Sequence, residues 1–112
     1  MQETTDVLRK LGITRNYRGA HHLYLAIEHV KKDEEHLLHI CALYRLIALE
    51  TGCSAIPVER SMRTAVLRAW KKNRKFLYEI AGYPLTAPPT LSEFIEMVAY
   101  YVQKRESVSH YL

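Results

Sequence analysis

The sequence has 112 residues, 48% of them hydrophobic and 25% charged, with a net charge of +4. That length builds one domain (residues 1–112) around one core and is too short for two, and the composition argues against disorder or low complexity. No apolar run approaches the roughly 20 residues that span a bilayer, and the start MQETTDVLRK lacks the apolar stretch of a secretory leader, so a soluble, cytoplasmic protein is expected.

In chain order, glycines and prolines fall where elements should end. Gly12 closes a short first helix, about 4–11, and Gly19 sits at the entry to a second, about 20–32. In that second helix Leu23, Ala26, Ile27 and Val30 recur at helical spacing and predict one buried stripe. Asp33 suits an N-cap for a third helix carrying Leu37, Ile40, Leu43, Ile47 and Ala48, with a bend near 43–45 and an end at Thr51-Gly52. Ser54 suits the N-cap of a fourth, which takes Pro57 in its first turn and runs to about Asn73. A fifth, about 75–81, is closed by Gly82. Pro84, Pro88 and Pro89 make 83–89 an extended loop. Ser92, or Thr90 just before it, starts a last helix with Phe94, Ile95, Val98, Tyr101 and Val102 facing inward. No segment alternates with period two, so the expected class is all-α, about six helices and no wing. Cys41 and Cys53 are too few for a disulfide framework and read as two partly buried, reduced thiols.

The stretch from Leu43, LYRLIALETGCSAIPVERSM, has the spacing of a helix-turn-helix, about residues 44–73. Ala48 is small enough to let two helices approach, Gly52 four residues later suits a left-handed turn, and Val58 and Met62 pack the second helix back. On a wheel of about 100° per residue, Met62, Ala65, Val66 and Ala69 fall near Val58, whereas Arg60, Arg63, Thr64 and Lys71 cluster opposite. Leu67 shares that outer face.

Between Glu59 and Lys75 there are seven basic residues (Arg60, Arg63, Arg68, Lys71, Lys72, Arg74, Lys75) and one acid, a local charge of +6 that leaves −2 for the rest. One basic element on a mildly acidic body predicts a polyanion surface in one place. Arg60 and Arg63, near the start of the second motif helix, sit where a recognition helix meets base edges, and the Arg fork pairs with guanine O6 and N7. Arg68, Lys71, Lys72, Arg74 and Lys75 lie further along and suit phosphates.

Taken together, LGI at 11–13, Gly19, AIEHV at 26–30, LY at 43–44, IA at 47–48, VER at 58–60, Arg63, AW at 69–70, GY at 82–83 and SEFIEMVA at 92–99 resemble the C-terminal DNA-binding domain family of stage zero sporulation protein A, a response regulator of sporulation. The likeness runs from about Val7 to Gln103. It implies a six-helix fold, binding of double-stranded DNA at short promoter boxes as tandem copies or a homodimer, and contact with an RNA polymerase sigma factor. It also implies base-reading roles at Glu59, Arg60 and Arg63, with the Glu59 carboxylate accepting from cytosine N4; Thr64 joins them on the wheel. The chain departs from the pattern at Leu49-Glu50, where the family has a basic pair, at Ile56-Pro57, where it has Ser-Arg, and at Leu67, where it has an acid. At least two phosphate contacts are therefore expected to be missing. The receiver domain that precedes this domain in the family has no counterpart in these 112 residues: either it lies outside them, or the protein is a stand-alone effector without phosphorylation control.

Two rival classes remain in view. A protein-interaction module derived from this domain, no longer reading DNA, would use Leu67 and the last helix, with Tyr100, Tyr101 and Tyr111 as aromatic anchors. An enzyme is not expected: His36 and His39 share a helix face, but there is no HExxH, no Cys cluster and no evident triad partner for Ser or Cys, so no catalytic residue, metal or cofactor is assigned.

Overall fold

The computed structural model describes residues 3–111, with side chains through Ser107. Among them are six α-helices and no strands: α1 (Glu3–Lys10), α2 (Arg18–Lys32), α3 (Ile40–Thr51), α4 (Ala55–Lys72), α5 (Arg74–Ala81) and α6 (Leu91–Tyr111). A 3-10 segment, Glu34–His39, precedes α3. The all-α expectation holds. Tyr111, named above as an anchor, lies outside the described side chains.

The third helix is the one that changes. The Asp33 side chain accepts from Glu35 N at 3.0 Å and so caps the 3-10 segment, and regular α-helix begins only at Ile40. The break thus falls earlier than the expected bend at 43–45. None of the residues of this segment is fully buried, so no packed apolar stripe holds it to the α-helical repeat. Other boundaries follow their signals. Gly12, Gly52 and Gly82 all take positive φ where helices stop. Thr90 opens α6 with a reciprocal capping box, its hydroxyl accepting from Glu93 N at 3.2 Å and its own N–H donating to the Glu93 carboxylate at 2.8 Å. Asn73 separates α4 from α5, accepting from Phe76 N and donating to the Lys10 carbonyl.

α2 is the central element, packed on both α4 and α6. Its stripe Leu23, Ala26, Ile27 and Val30 meets Val58, Met62, Ala65 and Ala69 of α4 and Phe94, Ile95, Val98 and Val102 of α6 in one continuous core. Close approach of α2 to α4 depends on Gly19: a Cβ there would lie 2.2 Å from the Ser61 carbonyl oxygen. Beside it the buried His22 Nδ1 meets Ser61 Oγ at 2.7 Å, and Ser61 donates its own proton to the Val58 carbonyl at 2.8 Å. The His22 nitrogen is therefore the donor, and Nδ1 carries a hydrogen. Burial, with His21 and Arg18 nearby, holds its pKa below the usual imidazole value.

A polar knot fastens the far side. Lys31 Nζ reaches Glu28 at 3.0 Å and Glu106 at 2.9 Å, while Thr4 donates to Glu28 at 2.6 Å and Gln103 to the Lys31 carbonyl at 2.9 Å, joining α1, α2 and α6. Burial pulls the Lys31 ammonium down, but Glu106 and Glu28 together outweigh it and leave its pKa raised. Both cysteines are exposed and unbridged, which corrects the expectation of partial burial. Cys53 falls in the turn after Gly52 rather than on a helix.

Candidate nucleic-acid interface

The chain direction changes by 103° between the segment Glu34–Thr51 and α4, as a helix-turn-helix requires. Gly52, at φ 69°, makes the turn, its N–H donating to the last carbonyls of α3, and Cys53 N donates to Ala48 O at 2.9 Å. Ser54 occupies the N-cap position of α4, yet its side chain caps nothing; its carbonyl accepts from Val58 N at 3.2 Å. Val58, Met62, Ala65, Val66 and Ala69 are buried, so the wheel drawn from sequence matches the packing of α4. Tyr44 of α3 lies buried in this interface, and burial first, then the Glu59 charge, push its phenol up to about 12.

The outer face of α4 has two distinct parts. In its first half Arg60, Arg63 and Thr64 are exposed. Arg63 is tied back to Glu59 one turn earlier, its Nε donating at 2.9 Å, and Thr64 donates its hydroxyl to the Arg60 carbonyl at 3.1 Å. Among the described residues, Arg60 makes no side-chain hydrogen bond or ion pair. Its guanidinium stands free beside a paired one.

In the second half, and on into the start of α5 with Arg74 and Lys75, the basic residues divide. Lys71 and Lys75 project into solvent. Arg68, by contrast, is half-buried: its Nε donates to the Gly12 carbonyl at 3.1 Å and its guanidinium covers the Tyr17 ring at 4.4 Å. Lys72 packs its stem over Gly12, where an added Cβ would lie 3.0 Å from Lys72 Cβ. Arg74 stacks on Trp70 at 3.9 Å and donates to the Trp70 carbonyl at 3.3 Å. Trp70 is itself partly buried, edge-on to Tyr78.

Arg18 was not singled out from sequence. At the start of α2, it lines with Tyr17, Pro57, Arg60, Ser61 and Thr64 a shallow groove of about 350 Å³ beside the outer face of α4. The only signal for it was the neighbouring Gly19, a glycine where a helix needs none unless another backbone comes close. The departures from the family pattern also have places. Glu50 accepts from His29 Nε2 at 2.8 Å, while Leu49 is 81% exposed and Ile56 70% exposed on either side of the turn.

No single described helix is long and apolar enough to cross a membrane, and the described His, Cys, Asp and Glu residues form no group of three or more suited to a metal. Fold and surface together define a helix-turn-helix domain whose second helix buries one stripe and turns a basic face outward. Residues 4–102 match the family described as Sporulation initiation factor Spo0A C terminal. The chain belongs to that family, whose members are DNA-binding effector domains.

Proposed function

We propose that the protein is a sequence-specific, double-stranded DNA-binding transcriptional regulator of the bacterial cytoplasm. It reads promoter boxes with α4 laid in the major groove, through Glu59, Arg60, Arg63 and Thr64. The observation that carries this reading is the outer face of α4's first half: a free Arg60 and an Arg63 braced by Glu59, within the first three turns of a helix whose opposite stripe is fully packed. A guanidinium held one turn from a carboxylate loses less side-chain freedom when it engages a base edge, and the carboxylate remains an acceptor for cytosine N4. Lys71 and Lys75, with Arg74 over Trp70, supply the phosphate contacts. Lys72, exposed although its stem packs over Gly12, adds to them, and Arg68 contributes positive potential from a position already engaged in packing. Tandem or homodimeric binding and contact with a sigma factor rest on family membership.

Selection of bound sequences from a random duplex pool at two salt concentrations tests it. One enriched motif, with recovery falling at higher salt, is expected. Recovery of unenriched sequence at both salts would remove base reading, and no recovery at low salt would leave the alternative, a protein-interaction module. That alternative would use the last helix, where exposed Tyr83 and Tyr100 flank Leu37, Leu85 and Met97 in a groove of about 440 Å³.

A further inference from the structure

We infer that Ile56 is a specificity-determining residue that recognises the C5-methyl group of a thymine at one edge of the bound box. The inference rests on the duplex-binding reading above and deepens it. Counted back from Val58, Ile56 falls about 160° away, in line with Arg60, Arg63 and Leu67 on the outer face of α4. It lies in the first turn of that helix and is 70% exposed. The N-terminal residues of a recognition helix are the ones that reach base edges, so Ile56 enters the groove together with Arg60.

The chemistry of the side chain then limits what it can read. An aliphatic group has no donor or acceptor, and the one apolar feature of the major-groove edge is the thymine methyl. A β-branched side chain on a helix holds one preferred rotamer, so Ile56 offers a fixed surface with little freedom to lose. Pro57 follows it directly and fixes the backbone of the same turn. The nearest charge along the helix, Glu59, is engaged by Arg63, which leaves the approach to Ile56 free of an unpaired carboxylate.

Leu67 is the internal contrast. It is 48% exposed on the same face, but eleven residues along an α-helix carry it about 16 Å from Ile56, toward the end of α4 where Lys71 faces phosphate. A leucine at that distance from the reading end sits outside the base stack.

The test replaces each thymine of the best selected duplex, one at a time, by deoxyuridine, which removes the methyl and keeps every hydrogen-bonding group. Binding is measured for the full chain and for Ile56→Ala and Leu67→Ala, with folding of each variant checked by thermal midpoint. One or two thymines at the box edge should cost the parent protein about fourfold in affinity when changed to uracil, the worth of one methyl group taken out of water. Ile56→Ala should show no such cost, and Leu67→Ala should keep it. Sequence-specific binding in which no thymine matters, or in which the cost survives in Ile56→Ala, overturns the inference and leaves the DNA-binding reading intact. Loss of self-association in Ile56→Ala with the uracil costs unchanged also overturns it, assigning the side chain to protein packing. Failure to bind any duplex overturns the DNA-binding reading itself.

Discussion

The two halves of α4 look alike as sequence and differ as structure. Both carry basic residues on the outer face, yet Arg60 in the first half has no partner among the described residues, whereas Arg68 in the second half is spent on the Gly12 carbonyl and the Tyr17 ring. Counted charge is thus a poor guide to available charge. A guanidinium whose Nε–H is taken by a backbone carbonyl and whose face covers a ring holds the fold together and adds to the field, and its remaining N–H groups are fixed where that packing puts them. The comparison predicts that changes along one helix separate into effects on stability and effects on DNA.

The largest effect should come from beneath the reading half. Gly19→Ala places a methyl 2.2 Å from the Ser61 carbonyl and forces α2 away from α4, so it should cost about 3 kcal/mol in urea unfolding. An unchanged midpoint would mean that α4 is not held at this crossing. Next, Arg68→Ala should lower stability by about 1–2 kcal/mol through the lost hydrogen bond and ring contact. The pair Lys71→Ala and Lys75→Ala should leave stability within about 0.5 kcal/mol and lower the slope of log affinity against log salt by about 1.8, at about 0.9 for each phosphate contact. If Arg68→Ala moves the salt slope as much as the lysine pair and leaves the thermal midpoint alone, the division of the second half is wrong.

A smaller effect is pH dependence. The His22 pKa is lower in the folded chain than its ordinary 6.5. Below that ordinary value the unfolded chain binds the proton that the folded one resists, so the stability held above about pH 6.5 is lost as pH falls toward the folded value. The thermal midpoint should therefore drop between pH 7.5 and 5.5 by less in His22→Asn than in the parent. An equal drop in both would place the acid sensitivity elsewhere.

What was legible in the sequence was whatever depends on neighbours along the chain. Leu23, Ala26, Ile27 and Val30 declared the buried side of α2 because a helix repeats every 3.6 residues, and Arg60 and Arg63 could be put opposite Val58 and Met62 by the same arithmetic. The turn glycines at 12, 52 and 82 were readable because left-handed backbone favours that residue. What was not legible depends on contacts between distant segments. Arg68 meets a carbonyl 56 residues away, and Arg18 shares a groove with Arg60 across a helix crossing; neither leaves a periodic trace. The exposure of Cys41 and Cys53 was missed for the same reason, since a thiol's burial is decided by what the rest of the chain covers.

The central claim is that Arg60 and Arg63 read bases and do not merely add charge. Binding of the parent, Arg60→Ala and Arg63→Ala should be compared on the best selected duplex and on a scrambled duplex of the same length at one salt concentration. Each substitution should cost about 1–3 kcal/mol on the best site and distinctly less on the scrambled one, with preference relaxed at one or two base pairs. If both affinities fall by the same factor, the two arginines act as phosphate contacts only and base reading by this face of α4 is contradicted.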